Sequence, residues 1–238
     1  MIRRIMVYYE NSDNEVLVFR EVMVKKKLIL VFTVIFVFGL CTACGKSIDV
    51  KESTLIFHKN GSITGAIREK LEKNYYSGEE LQTYINQRIS DYTAEHGKNS
   101  VKLSRFATEG QDVAAGEVIA DISYASYEDY AGFNEIDLYM GTIPQALAAG
   151  YDLSGSFQTT DASKDQPLTD GKLPSDAKAT SGLKMIALNE AVNVKVPGSI
   201  YYVSAEHIKV LNKDTAQVVM PEGMPEGSTI PMTYIIYK

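Results

Sequence analysis

Thirteen residues without a charge, Leu28 to Leu40, follow directly on Lys25-Lys26-Lys27. So apolar a run is out of place in a water-facing domain, and it therefore decides where folding can begin. As a helix it would reach about 20 Å, short of the roughly 30 Å hydrocarbon core of a bilayer. Extended to Cys44, the run is marginal for a span and ordinary for the apolar part of a secretory leader. Gly39 loosens the helix, and Thr42-Ala43 sets two small residues before Cys44. An uncleaved anchor helix is the alternative. In both readings the lysines stay in the cytoplasm and everything beyond Cys44 lies outside it, because positive flanks are retained.

The residues upstream fit neither reading. They hold Glu10, Asp13, Glu15 and Glu21, whereas the region before a leader's apolar run is short and basic. Met23-Val24-Lys25 is the more natural start. Residues 1–22 are therefore read as an upstream extension, 23–43 as a signal peptide, and 44–53 as a tether that extends about 30 Å. Without residues 1–44 the chain loses 6 of its 24 basic and 4 of its 30 acidic side chains, which leaves a net charge of about −8. An acidic domain has no electrostatic footprint for nucleic acid and is repelled by anionic headgroups. The two cysteines are Cys41 and Cys44, so the part beyond them has no disulfide, Cys–metal site or Cys nucleophile. Stability must come from a core, which roughly 185 residues can supply as one domain or as two small lobes.

The clearest local signal is "LIFHKNGSITGAI". Asn60-Gly61 suits the two positive-φ positions of a type I′ turn, and Leu55 and Phe57 would share a face with Ile63 and Ile67. "YYSGEELQTYINQRISDYTAEHGK" predicts an amphipathic helix. Ser77 caps it and Glu80 completes a capping box, Leu81, Tyr84, Ile85, Ile89 and Tyr92 form its stripe, and His96-Gly97 ends it. Strands are expected at Val101 to Phe106 and Glu117 to Tyr124, with a Glu109-Gly110 turn between them. Ser126 with Asp129 marks another helix start, and Leu138 to Met140 a short strand. "TIPQALAAG" reads as a compact helix capped by Thr142 and stopped by Gly150. Residues 154–182 are polar and read as a flexible insertion between an α+β lobe at 54–153 and a β-rich lobe at 183–238 packed on it. In the latter, "LKMIAL", "AVNVKV", "SIYYVS", "AQVVM" and "MTYIIYK" are strands, Pro197-Gly198 a turn, and "MPEGMPEG" an exposed loop. The expected fold class is α+β: an N-terminal β-hairpin and amphipathic helix, mixed strands and short helices, then a β-rich C-terminal part.

Chemistry is harder to find. His58, His96 and His207 have no HExxH partner and no acid at metal-ligand spacing, so no metal site is expected. Two SxxK tetrads, Ser175–Lys178 and Ser181–Lys184, lie in or beside the polar stretch, which cannot remove a lysine from water as nucleophile activation requires. Asp161, Asp165 and Asp170-Gly171 lack the alternate spacing and closing Glu of a calcium loop. No cofactor motif is present. The compositional excess is tyrosine, 15 residues against no Trp. Tyr124, Tyr127, Tyr130 and Phe133 recur every third residue, and Tyr127, Tyr130 and Phe133 are candidate binding aromatics, with core packing as the competing reading.

Thr42-Ala43-Cys44 is similar to a bacterial lipobox, in which the cysteine receives diacylglycerol and a peptidase cuts before it. The family pattern places Leu three residues before the cysteine; here that position is Cys41, with Leu40 one place earlier. The resemblance makes Cys44 the lipidated residue and Ala43 the residue on the cleavage side. Two acyl chains hold a membrane stably where one does not. With "YYSGEEL" and "IYYVSAEHIKVL", the chain resembles small cell-surface lipoproteins of Gram-positive anaerobes, which implies location rather than activity. The leading expectation is a membrane-anchored extracytoplasmic protein that binds an envelope protein or a wall component, a glycan among them, without catalysis. An envelope hydrolase assembled from Glu128, Asp129, Glu135 and Asp137 is a second reading. A structural part of a secretion or division assembly is a third.

Overall fold

Hairpin formation starts the domain. Thr54–Phe57 (β1) and Ile63–Lys70 (β2) pair antiparallel, with Phe57 opposite Ile63 and Leu55 opposite Gly65. Leu55, Phe57, Ile63 and Ile67 are all buried. The turn differs from the expected type I′. The Gly61 amide donates to the His58 carbonyl at 3.0 Å and the His58 amide to the Ser62 carbonyl at 2.9 Å, and of the Asn60-Gly61 pair only Gly61 has positive φ. That is a three-residue loop, a type I turn closed by a left-handed glycine. The Asn60 side chain instead accepts from the Ser62 amide and hydroxyl. Pairing that begins at Phe57 and Ile63 leaves one residue too many for a two-residue turn.

The computed structural model describes residues 48–70, 77–108, 116–159, 169–171, 173, 180–225 and 228–238. Among them, Val50–Lys238 group as one unit. The extension, the signal peptide with Ala43, Cys44, the Glu109-Gly110 turn, Asp161, Asp165, Ser175, Lys178 and Glu226-Gly227 lie outside the described residues.

Gly78–His96 forms α1. The Ser77 hydroxyl accepts from the Glu80 amide, and Gly97 follows the last turn with φ +102°. Of the predicted stripe only Ile85 is fully buried; Leu81, Tyr84, Ile89 and Tyr92 are half-buried, while Gln82, Asn86, Gln87 and Asp91 face solvent. Val101–Ala107 (β3) and Glu117–Tyr124 (β4) follow. Next come Tyr127–Asn134 (α2), Leu138–Thr142 (β5) and Ile143–Ala148 (α3), the last with a Thr142–Gln145 capping box. The remaining strands are Phe157–Thr159 (β6), Thr169–Gly171 (β7), Lys184–Leu188 (β8), Asn193–Lys195 (β9), Ile200–Ser204 (β10), Ile208–Asn212 (β11), Thr215–Val218 (β12) and Thr233–Tyr237 (β13). The class is α+β with a β-rich C-terminal part.

Two sheets collect these strands, in the orders β11-β12-β9-β1-β2-β4-β3 and β5-β8-β13-β10-β6-β7. Among the described residues every pairing is antiparallel except β1 with β9, where Thr54 lies opposite Asn193 and Ile56 opposite Lys195. The predicted division into a lobe at 54–153 and a lobe at 183–238 therefore does not describe the strand pairing. Each sheet takes strands from both halves. Alternation within a strand records which faces are covered but says nothing of which strand lies alongside. Nor is the stretch 154–182 wholly an insertion, because β6 and β7 extend the second sheet and Phe157 is buried there. The unpredicted β11 is an edge strand with exposed Lys209, Leu211 and Asn212, so it lacks the apolar alternation of its neighbours.

Core packing is dense enough in the first sheet to enclose an ion pair. Arg68 Nη1 lies 2.8 Å from Asp121 Oδ1 between β2 and β4, and the same nitrogen donates to the Ile67 carbonyl at 2.7 Å. In the second sheet Met185, Ile186, Ala187 and Leu188 are all buried, so both faces of β8 are covered. On one of these faces α3 packs Ile143 and Ala146 against Met185, Ala187, Ile236 and Phe157.

Candidate functional site

The aromatic repeat divides. Ser126 caps α2 by accepting from the Asp129 amide, which sets the helix over β4 and β5. One face of the helix then drives Tyr130 and Phe133 inward, both fully buried. Their rings meet Tyr124 at 4.8 Å and 5.8 Å, and Tyr92 from α1 meets Phe133 edge-on at 5.6 Å. The Tyr130 hydroxyl donates to Glu190 Oε2 at 2.7 Å, and the Arg88 guanidinium lies 4.9 Å from the centre of the Phe133 ring. Tyr130 and Phe133 are therefore core residues rather than binding aromatics: a three-residue step falls short of a full helical turn, so each member is rotated from the last, and Tyr127 lies off the face that Tyr130 and Phe133 bury.

Tyr127 points elsewhere and begins a different group. Its ring meets Tyr139 of β5 at 5.7 Å; Tyr139 meets Tyr151, just after α3, at 4.8 Å; Tyr151 meets Tyr234 of β13 at 6.4 Å; and Tyr234 meets Phe157 at 6.3 Å. Phe157 is buried, whereas the four tyrosines are half-buried. Register explains the alignment. Tyr139 and Tyr234 both lie opposite Ala187 of β8, so a small residue separates two large rings on one face of the sheet. Gly141 gives Tyr139 room to lie along its strand: a Cβ there would collide with the Tyr139 hydroxyl oxygen.

Burial is the first cause that raises the pKa of each of the four phenols. Tyr127 is pushed up to about 12, with the Glu128 carboxylate adding to burial. Asp137 acts in the same direction on Tyr151, and Asp152 on Tyr234. Half-buried phenols in a continuous run can stack on apolar or sugar faces and hydrogen-bond through their hydroxyls. Sequence reasoning found Tyr127 and missed Tyr139, Tyr151 and Tyr234, which come from three separate elements; the excess of tyrosine was the signal present.

The four acids of the hydrolase reading go separate ways. Asp129 accepts from the Ser126 hydroxyl, Asp137 Oδ2 from the Asn189 amide nitrogen, Glu135 lies 3.8 Å from Arg88, and Glu128 is exposed. Ser181 and Lys184 of the second tetrad are both exposed. His58 Nε2 lies 2.9 Å from the Thr64 hydroxyl, His96 stacks on Tyr92 at 4.0 Å, and His207 lies 3.8 Å from Glu206. Among the described residues no group of three His, Cys, Asp or Glu is placed to hold a metal ion, and no helix is long and apolar enough to cross a membrane. Comparison with protein-family models, curated proteins and solved structures finds no match.

Proposed function

We propose that the chain is a lipid-anchored protein of the extracytoplasmic membrane face, held at Cys44, that acts by binding a wall component or an envelope protein through the strip Tyr127–Tyr139–Tyr151–Tyr234. The observation that carries the reading is this continuous run of half-buried rings on one face of the second sheet. Lys25–Lys27, the apolar run and Thr42-Ala43-Cys44 support the location. A glycan suits the strip best: sugar rings present apolar faces to tyrosine and hydroxyls to its phenols and to the Asp137 and Asp152 carboxylates beside them.

Co-sedimentation with purified cell-wall glycan tests it. The double variant Tyr151→Ser, Tyr234→Ser should lose most of the bound fraction while keeping a cooperative thermal transition. A variant that sediments like the wild type removes the strip from the binding surface. The anchor is tested separately, since Cys44→Ser should abolish incorporation of a labelled fatty acid and release the protein from the membrane fraction.

A further inference from the structure

A second site lies at one end of the first sheet, on elements the tyrosine strip does not touch. The parallel pairing of β1 with β9 brings the C-terminal ends of both strands side by side, with Ile56 opposite Lys195. β12 runs antiparallel to β9, so its first residue, Thr215, also lies opposite Lys195 and carries the β11–β12 turn to the same end. Between these three segments opens a groove of about 470 Å³, whose lining includes Phe57, His58, Lys59, Lys195, Lys213 and Asp214. Its floor is backbone held in place. The Val196 amide donates to the Asp214 carbonyl and the Ile200 amide to the Lys213 carbonyl, both at 2.8 Å. Gly198 closes the connector where a Cβ would collide with the Lys238 carbonyl oxygen.

Charge sets this groove apart from the rest of the chain, which has 30 acidic and 24 basic side chains. Three lysines, from sequence positions as distant as 59, 195 and 213, converge on a lining that contains one acid. That acid is partly offset already, since Lys195 Nζ lies 3.8 Å from Asp214 Oδ2. We infer that the groove formed by Lys59, Lys195 and Lys213 binds a water-borne anion bearing phosphate groups. Lysines are compact, rotatable point charges, without the planar fork with which arginine selects a carboxylate, and they suit a tetrahedral oxyanion of more than one charge. The groove is large enough for more than a single phosphate. A phospholipid headgroup would carry the same chemistry, but position disfavours it. The chain comes into β1 at Thr54, and the groove opens past Phe57 at the opposite end of that strand.

Calorimetric titration of the full chain in non-ionic detergent with tripolyphosphate tests the assignment. Saturable binding is expected, weakening as salt is raised. The triple variant Lys59→Gln, Lys195→Gln, Lys213→Gln should weaken it about tenfold, whereas Lys98→Gln, Lys102→Gln, Lys209→Gln, which removes equal charge elsewhere, should leave it within about twofold. All six lysines are exposed, so neither variant threatens the fold. Equal weakening by both variants would reduce the effect to net charge and overturn the groove. Adding phosphatidylglycerol to the micelles distinguishes the sources. Unchanged tripolyphosphate binding supports the water-borne anion, and competition lost in the groove variant would assign the site to the membrane surface instead. Wall-glycan binding by the tyrosine strip is read in a different assay and is independent of either result.

Discussion

Tyrosine occupies two different settings in this molecule. Beneath α1 and α2, Tyr124, Tyr130 and Phe133 interlock edge to face and bury their rings completely, and the Tyr130 hydroxyl is matched to Glu190. On the second sheet, Tyr127, Tyr139, Tyr151 and Tyr234 touch one another at similar distances but remain half-buried. Ring contact alone therefore does not separate a core from a half-exposed strip. What separates them is where the hydroxyl ends up. In the first group the polar atom must be matched inside the protein because water cannot reach it; in the second the side chains are half-buried and the phenols only partly desolvated, with that of Tyr127 bonded to the Glu128 carboxylate.

Truncation should expose that difference most sharply. Phe133→Ala removes a fully buried ring wedged between Tyr124, Tyr92 and the Arg88 guanidinium, and is expected to cost about 3–5 kcal/mol of stability. Tyr151→Ala removes a ring already half in water and should cost roughly 1–2 kcal/mol. Urea unfolding midpoints at a common m-value measure both. Equal losses would mean that the strip is a second core and would leave the proposed binding surface without a basis.

Removing only the hydroxyl tests the other half of the contrast. Tyr130→Phe keeps the ring and deletes the 2.7 Å hydrogen bond to Glu190, at an expected cost of about 1–3 kcal/mol. Tyr139→Phe deletes a rim hydroxyl and should change stability by no more than about 0.5 kcal/mol, while lowering affinity for wall glycan. A Tyr139→Phe variant as costly as Tyr130→Phe would show that the strip's hydroxyls are matched internally.

These two groups also mark where sequence reasoning stopped. Local signals were legible because the residues that satisfy them are neighbours in the chain: Ser77, Ser126 and Thr142 each accept from an amide three residues on. The hairpin was legible from alternation, though the pair Asn60-Gly61 suggested a tighter turn than the pairing register permits. Non-local choices were not legible. Nothing in "LIF" or "NVK" announces that β1 and β9 run parallel, yet that one pairing joins the two halves of the chain in one sheet and builds the basic groove. The repeat Tyr124, Tyr127, Tyr130, Phe133 was visible as a period, and the fold alone decides that three of its members face the core and one the strip. Tyr139, Tyr151 and Tyr234 share no period at all.

Alkaline titration gives the smallest effect and the finest resolution of the contrast. Each strip phenol is pushed above its ordinary value of 10.0, Tyr127 to about 12, and burial is the first cause in every case. In the core, Tyr124 is raised further, by burial first and with Glu190 adding to it. Between pH 10 and about 12 the unfolded chain has released tyrosine protons that the folded chain still holds, so the unfolded state binds fewer protons and stability falls as pH rises. Below pH 10 both states keep the proton and these groups add no slope. The two sets should nonetheless part company. Strip residues are only half-buried, so their phenolate absorbance should grow reversibly while the far-ultraviolet circular dichroism is still native. Tyr124 should ionise only as that signal is lost. A titration in which all the phenolate absorbance appears together with unfolding would place the strip inside the core; one in which the strip ionises at 10.0 would mean its rings are not desolvated, and the stacking surface on which glycan binding depends would not exist.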